Sequence, residues 1–167
     1  ARIAEGVIVG SALVSRIDAA PDRDSAIRAA RSFVAELSRA PLVASHSNAL
    51  AICASSRNLS DKQLGAIGRS RGLVGLNFAN GFLREDGRWS GNTPVSVMLR
   101  HLDHMLALAG EDCVGLGSDF DGARIPNAIG DVAGLPVLIE AMRGHGYGET
   151  LIAKIARENW LRVLEET

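Results

Sequence analysis

Short, uninterrupted apolar runs alternate along the chain with longer stretches in which apolar residues recur at helical spacing. The apolar runs are Val7-Ile8-Val9, Leu42-Val43-Ala44, Leu73-Val74-Gly75-Leu76 and Cys113-Val114-Gly115-Leu116. Uninterrupted runs are typical of parallel strands that are covered on both faces, because both sets of alternating side chains are then buried. The pattern predicts an α/β fold of four parallel βα units that form a single domain over residues 1–167.

Residues with known capping preferences mark the ends of the helical stretches. The predicted helical features, in chain order, are a helix through Phe33 to Leu37, a capping box of Ser60 and Gln63 with a stop at Gly72, a helix from Thr93-Pro94 to Gly110, and the stretches 136–144 and 149–165.

Four βα units make half of a TIM-type (βα)8 barrel, which needs about 250 residues where this chain has 167. An open sheet with barrel curvature would leave two unpaired edges and an exposed apolar concave face. We therefore expect self-association into a homodimer or higher oligomer that completes a barrel. The alternative is a flattened, doubly wound sheet within one chain.

Composition excludes several classes of partner. The net charge is −1, 47% of the residues are hydrophobic, and no run is rich in Lys or Arg, so neither nucleic acid nor an anionic membrane surface is expected as a partner. No targeting signal and no membrane-spanning run is visible, which predicts a cytoplasmic or recombinant soluble protein. Cys53 and Cys113 are isolated, and this favours buried thiols over a zinc knuckle or a disulfide framework.

Polar residues follow the second and fourth apolar runs, at the strand ends where an α/β barrel places its catalytic side chains. These two motifs are Ser45-His46-Ser47 and Gly117-Ser118-Asp119-Phe120-Asp121-Gly122. A strand-end imidazole can ligate a metal, and a strand-end carboxylate can accept or relay protons. Asp121 and Gly122 are predicted to shape the turn after the fourth strand.

Several motifs together resemble one enzyme family. They are Arg39-Ala40-Pro41, Ser45-His46-Ser47-Asn48-Ala49, Ser56-Arg57-Asn58-Leu59, His101-Leu102-Asp103-His104 and the Ser118-to-Gly122 string. Through them residues 38–167 resemble the C-terminal half of the zinc-dependent renal (membrane) dipeptidase family, in which two zinc ions sit at the mouth of a barrel. The resemblance implies that His46 is a zinc ligand, that Arg57 holds the carboxylate of the dipeptide, and that Asp119 is the acid near the scissile bond and the substrate ammonium.

The start of the chain has a different resemblance. The string Ala4-Glu5-Gly6-Val7-Ile8-Val9-Gly10-Ser11-Ala12-Leu13-Val14 is similar to the last βα unit of the tryptophan synthase alpha subunit, also a (βα)8 barrel. That resemblance implies that Gly10 and Ser11 hold a substrate phosphate, while the plainer interpretation is a strand exit built from small residues. A junction between two barrels near Ser38 predicts a recombined or engineered chimera.

Zinc catalysis needs about three protein ligands, and His46 alone matches one of the family's ligands. We therefore predict a recombined half-barrel folding unit without catalytic activity and without a cofactor, in which His46 holds no metal and Asp119 is vestigial. The first alternative is a zinc-dependent dipeptidase that uses a partner half or a rebuilt metal site. The second is a small phosphate-binding module that uses Gly10 and Ser11.

Other polar and aromatic residues are predicted to serve structure. His101 and His104 flank Asp103 at a spacing that could hold a metal on one helix face, but the resemblance places them on an outer helix in a solvated or packed role. Trp89 and Trp160 are predicted to pack, and His145, which lies between glycines, is predicted to lie in a loop.

Overall fold

The computed structural model describes residues 15–37 and 41–166. The predicted strand Val7-Ile8-Val9 and the predicted phosphate-binding pair Gly10-Ser11 lie outside the described residues.

Parallel strands form the sheet, as the apolar runs predict. Within the described residues there are three: β1 (Val43–Ala44), β2 (Leu73–Leu76) and β3 (Val114–Leu116). Their order in the sheet is their order in the chain, and both pairings are parallel. The α/β class with parallel strands is confirmed, while the half-barrel of four units and its closure by self-association are not.

The helices occur before, between and after the described strands. They are α1 (Arg23–Leu37), α2 (Asp61–Arg69), α3 (Asn80–Leu83), α4 (Val95–Ala109), α5 (Leu135–His145), α6 (Glu149–Ala153) and α7 (Asn159–Glu166). A π-helical turn, Lys154–Glu158, joins α6 to α7. The stretch 149–165, predicted as one helix, therefore consists of three consecutive helical parts.

The start of α2 is capped as predicted, and its end is not. The Ser60 amide donates to Gln63 Oε1 over 2.9 Å, which is the reciprocal half of a capping box. The C-cap is Ser70 rather than Gly72. Position 72 requires glycine for a steric reason, because a Cβ there would lie 1.9 Å from the Leu42 carbonyl oxygen. A glycine at this position lets the chain pass close to the start of β1.

Glycines end the two longer helices that follow. Gly110, with φ of 88°, caps α4, and Pro94 precedes its first turn, so this prediction is confirmed. Gly146, with φ of 101°, caps α5 in the left-handed region. The prediction for His145 is wrong, because the glycine cap lies beyond it. His145 is the last residue of α5, and its Nε2 lies 2.8 Å from a carboxylate oxygen of Asp103 in α4.

The main core lies between one face of the sheet and the helices α2 and α4. Val74, Leu76 and Val114 alternate onto this face. The helical residues in the same cluster include Leu64, Ile67, Leu102, Met105, Leu138 and Met142. Burial raises the pKa of the Cys113 thiol at the edge of this core and that of the Cys53 thiol, and both cysteines are free and buried as predicted.

Side chains of α7 cover the outer edge of β3. Asn159 Nδ2 donates to the carbonyl oxygens of Glu111 and Val114 over 2.7 and 2.8 Å, and Trp160 Nε1 donates to the Leu116 carbonyl over 2.9 Å. The Val114 and Leu116 carbonyls lie on the edge of β3 that faces away from β2. Side chains thus satisfy backbone groups that a further strand would otherwise pair, and the predicted packing role of Trp160 is observed.

Within the ranges that the structure describes, every helix is too short or too polar to cross a membrane.

Candidate functional site

The carboxyl ends of the three strands meet at one edge of the sheet, and each strand is followed by a polar side chain. His46 follows β1, Asn77 follows β2 and Asp119 follows β3. Parallel pairing brings these ends together, since every strand runs in the same direction. The sequence-predicted His46 and Asp119 therefore belong to one site.

The imidazole of His46 is held from both sides. Its Nδ1 lies 2.7 Å from the Ser45 hydroxyl, and its Nε2 lies 3.3 Å from a terminal guanidinium nitrogen of Arg57. A guanidinium is only a donor, so Nε2 is the acceptor and Nδ1 carries the proton that goes to Ser45. The loop between β1 and α2 thereby brings Arg57 next to His46, across eleven positions of sequence.

Asn77 connects Asp119 to the His46 segment. Its side-chain amide donates to Asp119 Oδ2 over 3.1 Å and to the His46 carbonyl oxygen over 3.5 Å. Its Oδ1 accepts the Ala79 amide over 2.7 Å. Asn77 is 1% exposed, so the amide that holds the half-buried Asp119 carboxylate is itself shielded from water.

A second buried amide supports the first. Asn48 Oδ1 accepts a hydrogen bond from the backbone N–H of Asn77 over 3.0 Å, and Asn48 Nδ2 donates to the backbone carbonyl of Asn77 over 2.9 Å. Sequence reasoning singled out neither amide. For Asn77 the available signal was its position directly after a buried strand, the same signal that marked His46 and Asp119.

Asp119 adopts a backbone conformation that L-residues rarely occupy, with φ of 59°. Such a conformation costs about 1 kcal/mol for a residue other than glycine, and it is found preferentially at functional sites. Gly122 leaves room for the carboxylate of Asp119, because a Cβ at position 122 would lie 2.3 Å from Asp119 Oδ1. Asp121 and Gly122 form the predicted turn, in which the Gly122 amide donates to the Asp119 carbonyl over 3.1 Å.

Gly117 permits the close approach of β1 and β3 at the site. A Cβ at position 117 would lie 2.0 Å from the Ser45 carbonyl oxygen and 3.0 Å from the Cα of His46. Only glycine leaves room for the His46 segment to cross over the end of β3.

The other two histidines that the sequence singled out lie away from this edge. His101 is buried in α4, where its Nδ1 accepts the Ala49 amide over 3.1 Å and its Nε2 donates to the Leu83 carbonyl over 2.9 Å. His104 lies one turn further along α4, with Nε2 2.7 Å from a carboxylate oxygen of Asp61 in α2. Both nitrogens of His101 are therefore occupied by backbone groups, and the histidine packs into the core.

The site offers a metal an incomplete set of ligands. His46 Nε2 is chemically suited to zinc once the Arg57 guanidinium no longer donates to its lone pair. The described residues, however, contain no group of three or more His, Cys, Asp or Glu that could hold a metal ion. A zinc site needs about three protein ligands, so this part of the chain supplies at most one position of such a site from His46.

Comparison with known families agrees with this arrangement. The family described as membrane dipeptidase, peptidase family M19, matches residues 24–167. The chain belongs to this family.

Curated relatives agree with the assignment and are longer. A Klebsiella pneumoniae protein from the pqqA 5′ region is 54% identical over 125 residues, which are 75% of this chain and 46% of that protein. Dipeptidase 3 of Macaca fascicularis is 35% identical over 134 residues, 80% of this chain and 27% of that enzyme. The chain thus spans less than half the length of these relatives.

Crystal structures show the same fold. A metallopeptidase from Rhodobacter sphaeroides, liganded with a phosphinate mimic of the dipeptide L-Ala-D-Ala, is 59% identical with a TM-score of 0.78, and the match covers 83% of this chain and 39% of that one. The metallopeptidase dipeptidase AC is 58% identical with a TM-score of 0.78, and the match covers 82% of this chain and 40% of that one.

These comparisons correct the predicted chimera, the predicted lack of activity and the expected lack of a cofactor. The family match begins at residue 24 and passes without interruption through position 38, so the predicted junction between two barrels there has no support. Nothing in the comparisons supports a tryptophan synthase alpha segment. The prediction of a recombined folding unit without catalytic activity is wrong, because the similar proteins of solved structure are metallopeptidases. The expectation of no cofactor loses its basis for the same reason.

Proposed function

We propose that this chain carries the substrate-holding part of a metal-dependent dipeptidase. The observation that supports the proposal is the convergence of His46, Arg57 and Asp119 at one sheet edge, in a chain that belongs to a dipeptidase family. In this proposal Arg57 binds the carboxylate of the dipeptide, and Asp119 faces its ammonium group.

The charges at this edge suit a zwitterionic dipeptide. Among the described residues, no carboxylate lies within ion-pair distance of the exposed Arg57 guanidinium, so the N–H groups that do not bond His46 are available for a carboxylate. The buried amide of Asn77 orients Asp119, which leaves the other carboxylate oxygen for an ammonium group. Two opposite charges at one site select a ligand with both termini free and orient its peptide bond.

His46 is the residue of this chain that we assign to the metal. A metal bound there would polarise the substrate carbonyl and lower the pKa of a bound water. One imidazole is an incomplete metal site. What the chain itself does is to bind the two charged ends of the dipeptide and to place the scissile carbonyl near His46.

Hydrolysis of L-Ala-D-Ala with added Zn²⁺, in an assembly in which a partner half supplies the zinc ligands that the described residues lack, tests the proposal directly. We expect Arg57→Lys to raise KM by about 10-fold to 100-fold with a smaller effect on kcat, because lysine keeps the charge and loses the bidentate geometry. We expect His46→Ala to abolish zinc-dependent turnover. His145→Ala, which removes a surface imidazole remote from the site, is the matched control and retains activity. Turnover that is absent from the assembly with unmodified protein, or unchanged in His46→Ala, contradicts the proposal.

A further inference from the structure

Two aromatic side chains stand beside the candidate site in positions that the function proposed above does not use. Phe82 lies in α3, and Trp89 lies in the loop that follows. Their ring centroids are 5.3 Å apart at an interplanar angle of 71°. Trp89 is 49% exposed and also covers Gly81, where a Cβ would lie 2.6 Å from the indole ring. A large apolar ring is thus kept at the surface and supported from beneath.

Buried amides fix Phe82 relative to the site. The Phe82 carbonyl accepts Asn48 Nδ2 over 3.2 Å and Asn58 Nδ2 over 2.9 Å. Asn48 is fully buried and Asn58 is 6% exposed. Since Asn58 directly follows Arg57 in the chain, the same amide ties the Arg57 loop to the aromatic pair.

Arg57 lies over the Phe82 ring. Its guanidinium carbon is 5.8 Å from the ring centroid, within the range of a cation–π interaction. The same guanidinium reaches His46 Nε2 over 3.3 Å. The rings therefore limit the orientations open to a long, exposed side chain, and they place an apolar surface next to the group that is proposed to bind a carboxylate.

We propose that Phe82 and Trp89 form an aromatic wall that positions Arg57 and accepts the apolar side chain of the residue whose carboxylate Arg57 binds. The inference rests on the proposed function, and it adds the substrate class: dipeptides whose C-terminal residue is apolar and larger than glycine. In a dipeptide that side chain leaves the carbon next to the carboxylate, so a carboxylate on Arg57 brings it to the neighbouring rings.

Binding without turnover provides the test. The affinities of L-Ala-D-Leu, of L-Ala-Gly and of the C-terminal amide of L-Ala-D-Leu are measured by calorimetry in the presence of EDTA, which removes metal-dependent hydrolysis. We expect L-Ala-D-Leu to bind about 10-fold more tightly than L-Ala-Gly, the difference that partial burial of an isobutyl group provides. The amide, which lacks the carboxylate, is expected to bind at least 10-fold more weakly than L-Ala-D-Leu.

Variants of the wall separate its role from general stability. Trp89→Leu changes an exposed residue, and Phe82→Leu keeps an apolar side chain, so both are expected to fold. Each should bring the L-Ala-D-Leu to L-Ala-Gly affinity ratio close to one. Trp160→Phe, the matched control at the edge of β3, should keep the ratio, and it leaves Trp89 as the remaining tryptophan, whose fluorescence should change when L-Ala-D-Leu binds. Arg57→Lys should weaken both dipeptides.

The outcomes of this test and of the hydrolysis test are distinguishable. Equal affinities for the two dipeptides in the unmodified protein, or a ratio that survives both wall substitutions, overturn the inference while hydrolysis of L-Ala-D-Ala can still stand. Failure of both dipeptides to bind overturns the inference together with the proposed role of Arg57. In turnover assays the wall variants should raise KM for L-Ala-D-Leu and leave kcat within about twofold of the value for the unmodified protein.

Discussion

At the scale of single residues, buried polar side chains organise both the core and the site. Asn48 and Asn77 bond to each other and to backbone groups, and Asn77 also bonds to Asp119. His101 does the same inside α4, between the Ala49 amide and the Leu83 carbonyl. Buried polar groups with all their partners present define one arrangement of the chain, because any other arrangement leaves them unsatisfied.

His101 should make stability depend on pH. Burial, which disfavours the charged ring, lowers its pKa to about 4 from the ordinary 6.5. Between these values the unfolded chain binds the proton that the folded chain excludes, so the free energy of unfolding falls as pH decreases from 6.5 towards 4. The expected loss is on the order of 3 kcal/mol.

Urea unfolding at several pH values between 7.5 and 4.5 measures this effect. His101→Gln retains a donor and an acceptor without a titrating ring, so its curve should lack the part of the pH dependence that His101 supplies. His145→Gln, which replaces an imidazole outside the core, serves as the control and should keep the pH dependence that His101 supplies. If His101→Gln shows the same slope as the unmodified protein, His101 is not the titrating group.

At the scale of elements, the sequence predicted those features that depend on neighbouring residues only. The capping box of Ser60 and Gln63 was recognisable from spacing, and β2 occupies its predicted residues Leu73–Leu76. The π-helical turn Lys154–Glu158 was not recognisable, because a shift of one residue in the hydrogen-bond pattern leaves the apolar periodicity almost unchanged. The buried Ile155 lies in this turn, and Asn159 follows it.

The capping box offers a measurable contribution. In Gln63→Ala the Ser60 amide and hydroxyl lose the acceptor that they share at 2.9 and 2.8 Å, so the free energy of unfolding should fall by about 1 kcal/mol. Lys62→Ala is the control, since it changes an exposed neighbour in the same helical turn. Chemical denaturation of both variants gives the comparison, and equal stabilities would show that the box contributes nothing.

At the scale of the whole molecule, the two sides of the described sheet differ. The outer edge of β3 is covered by Asn159 and Trp160. β1 lies at the other side of the described sheet, and there Leu42 is 40% and Val43 46% exposed. Asn159 and Trp160 hold α7 against the sheet. The exposed apolar residues make β1 the strand of the described sheet at which a further chain could pair.

Asn159 should be important for stability. It is 3% exposed, and Asn159→Leu would leave the Glu111 and Val114 carbonyls without their donor. We expect the free energy of unfolding to fall by about 2 to 3 kcal/mol. Arg157→Ala, at an exposed position in the preceding π-helical turn, should change it by less than about 0.5 kcal/mol. Similar losses in the two urea titrations would contradict the role given to Asn159.

Self-association stays a prediction, and the structure suggests where it would occur. If two copies pair at β1, Val43→Glu should give a monomer in sedimentation equilibrium, because it places a charge in the apolar contact. Val132→Glu, at a residue that is 66% exposed and remote from the strands, is the control and should not change the mass. A monomeric unmodified protein at high concentration would end this prediction.

The sequence by itself determined the α/β class, the positions of the three described strands and the presence of His46 and Asp119 at strand ends, because apolar runs and the residues that follow them can be read from the chain alone. Tertiary structure decided what those residues contact. The paths of loops bring Arg57 close to His46 and to the Phe82 ring. They also place the Asn77 side chain where it donates to Asp119. The contact of Asn159 with the edge of β3 depends on them as well. Loop paths follow from the packing of distant residues, which local patterns do not contain.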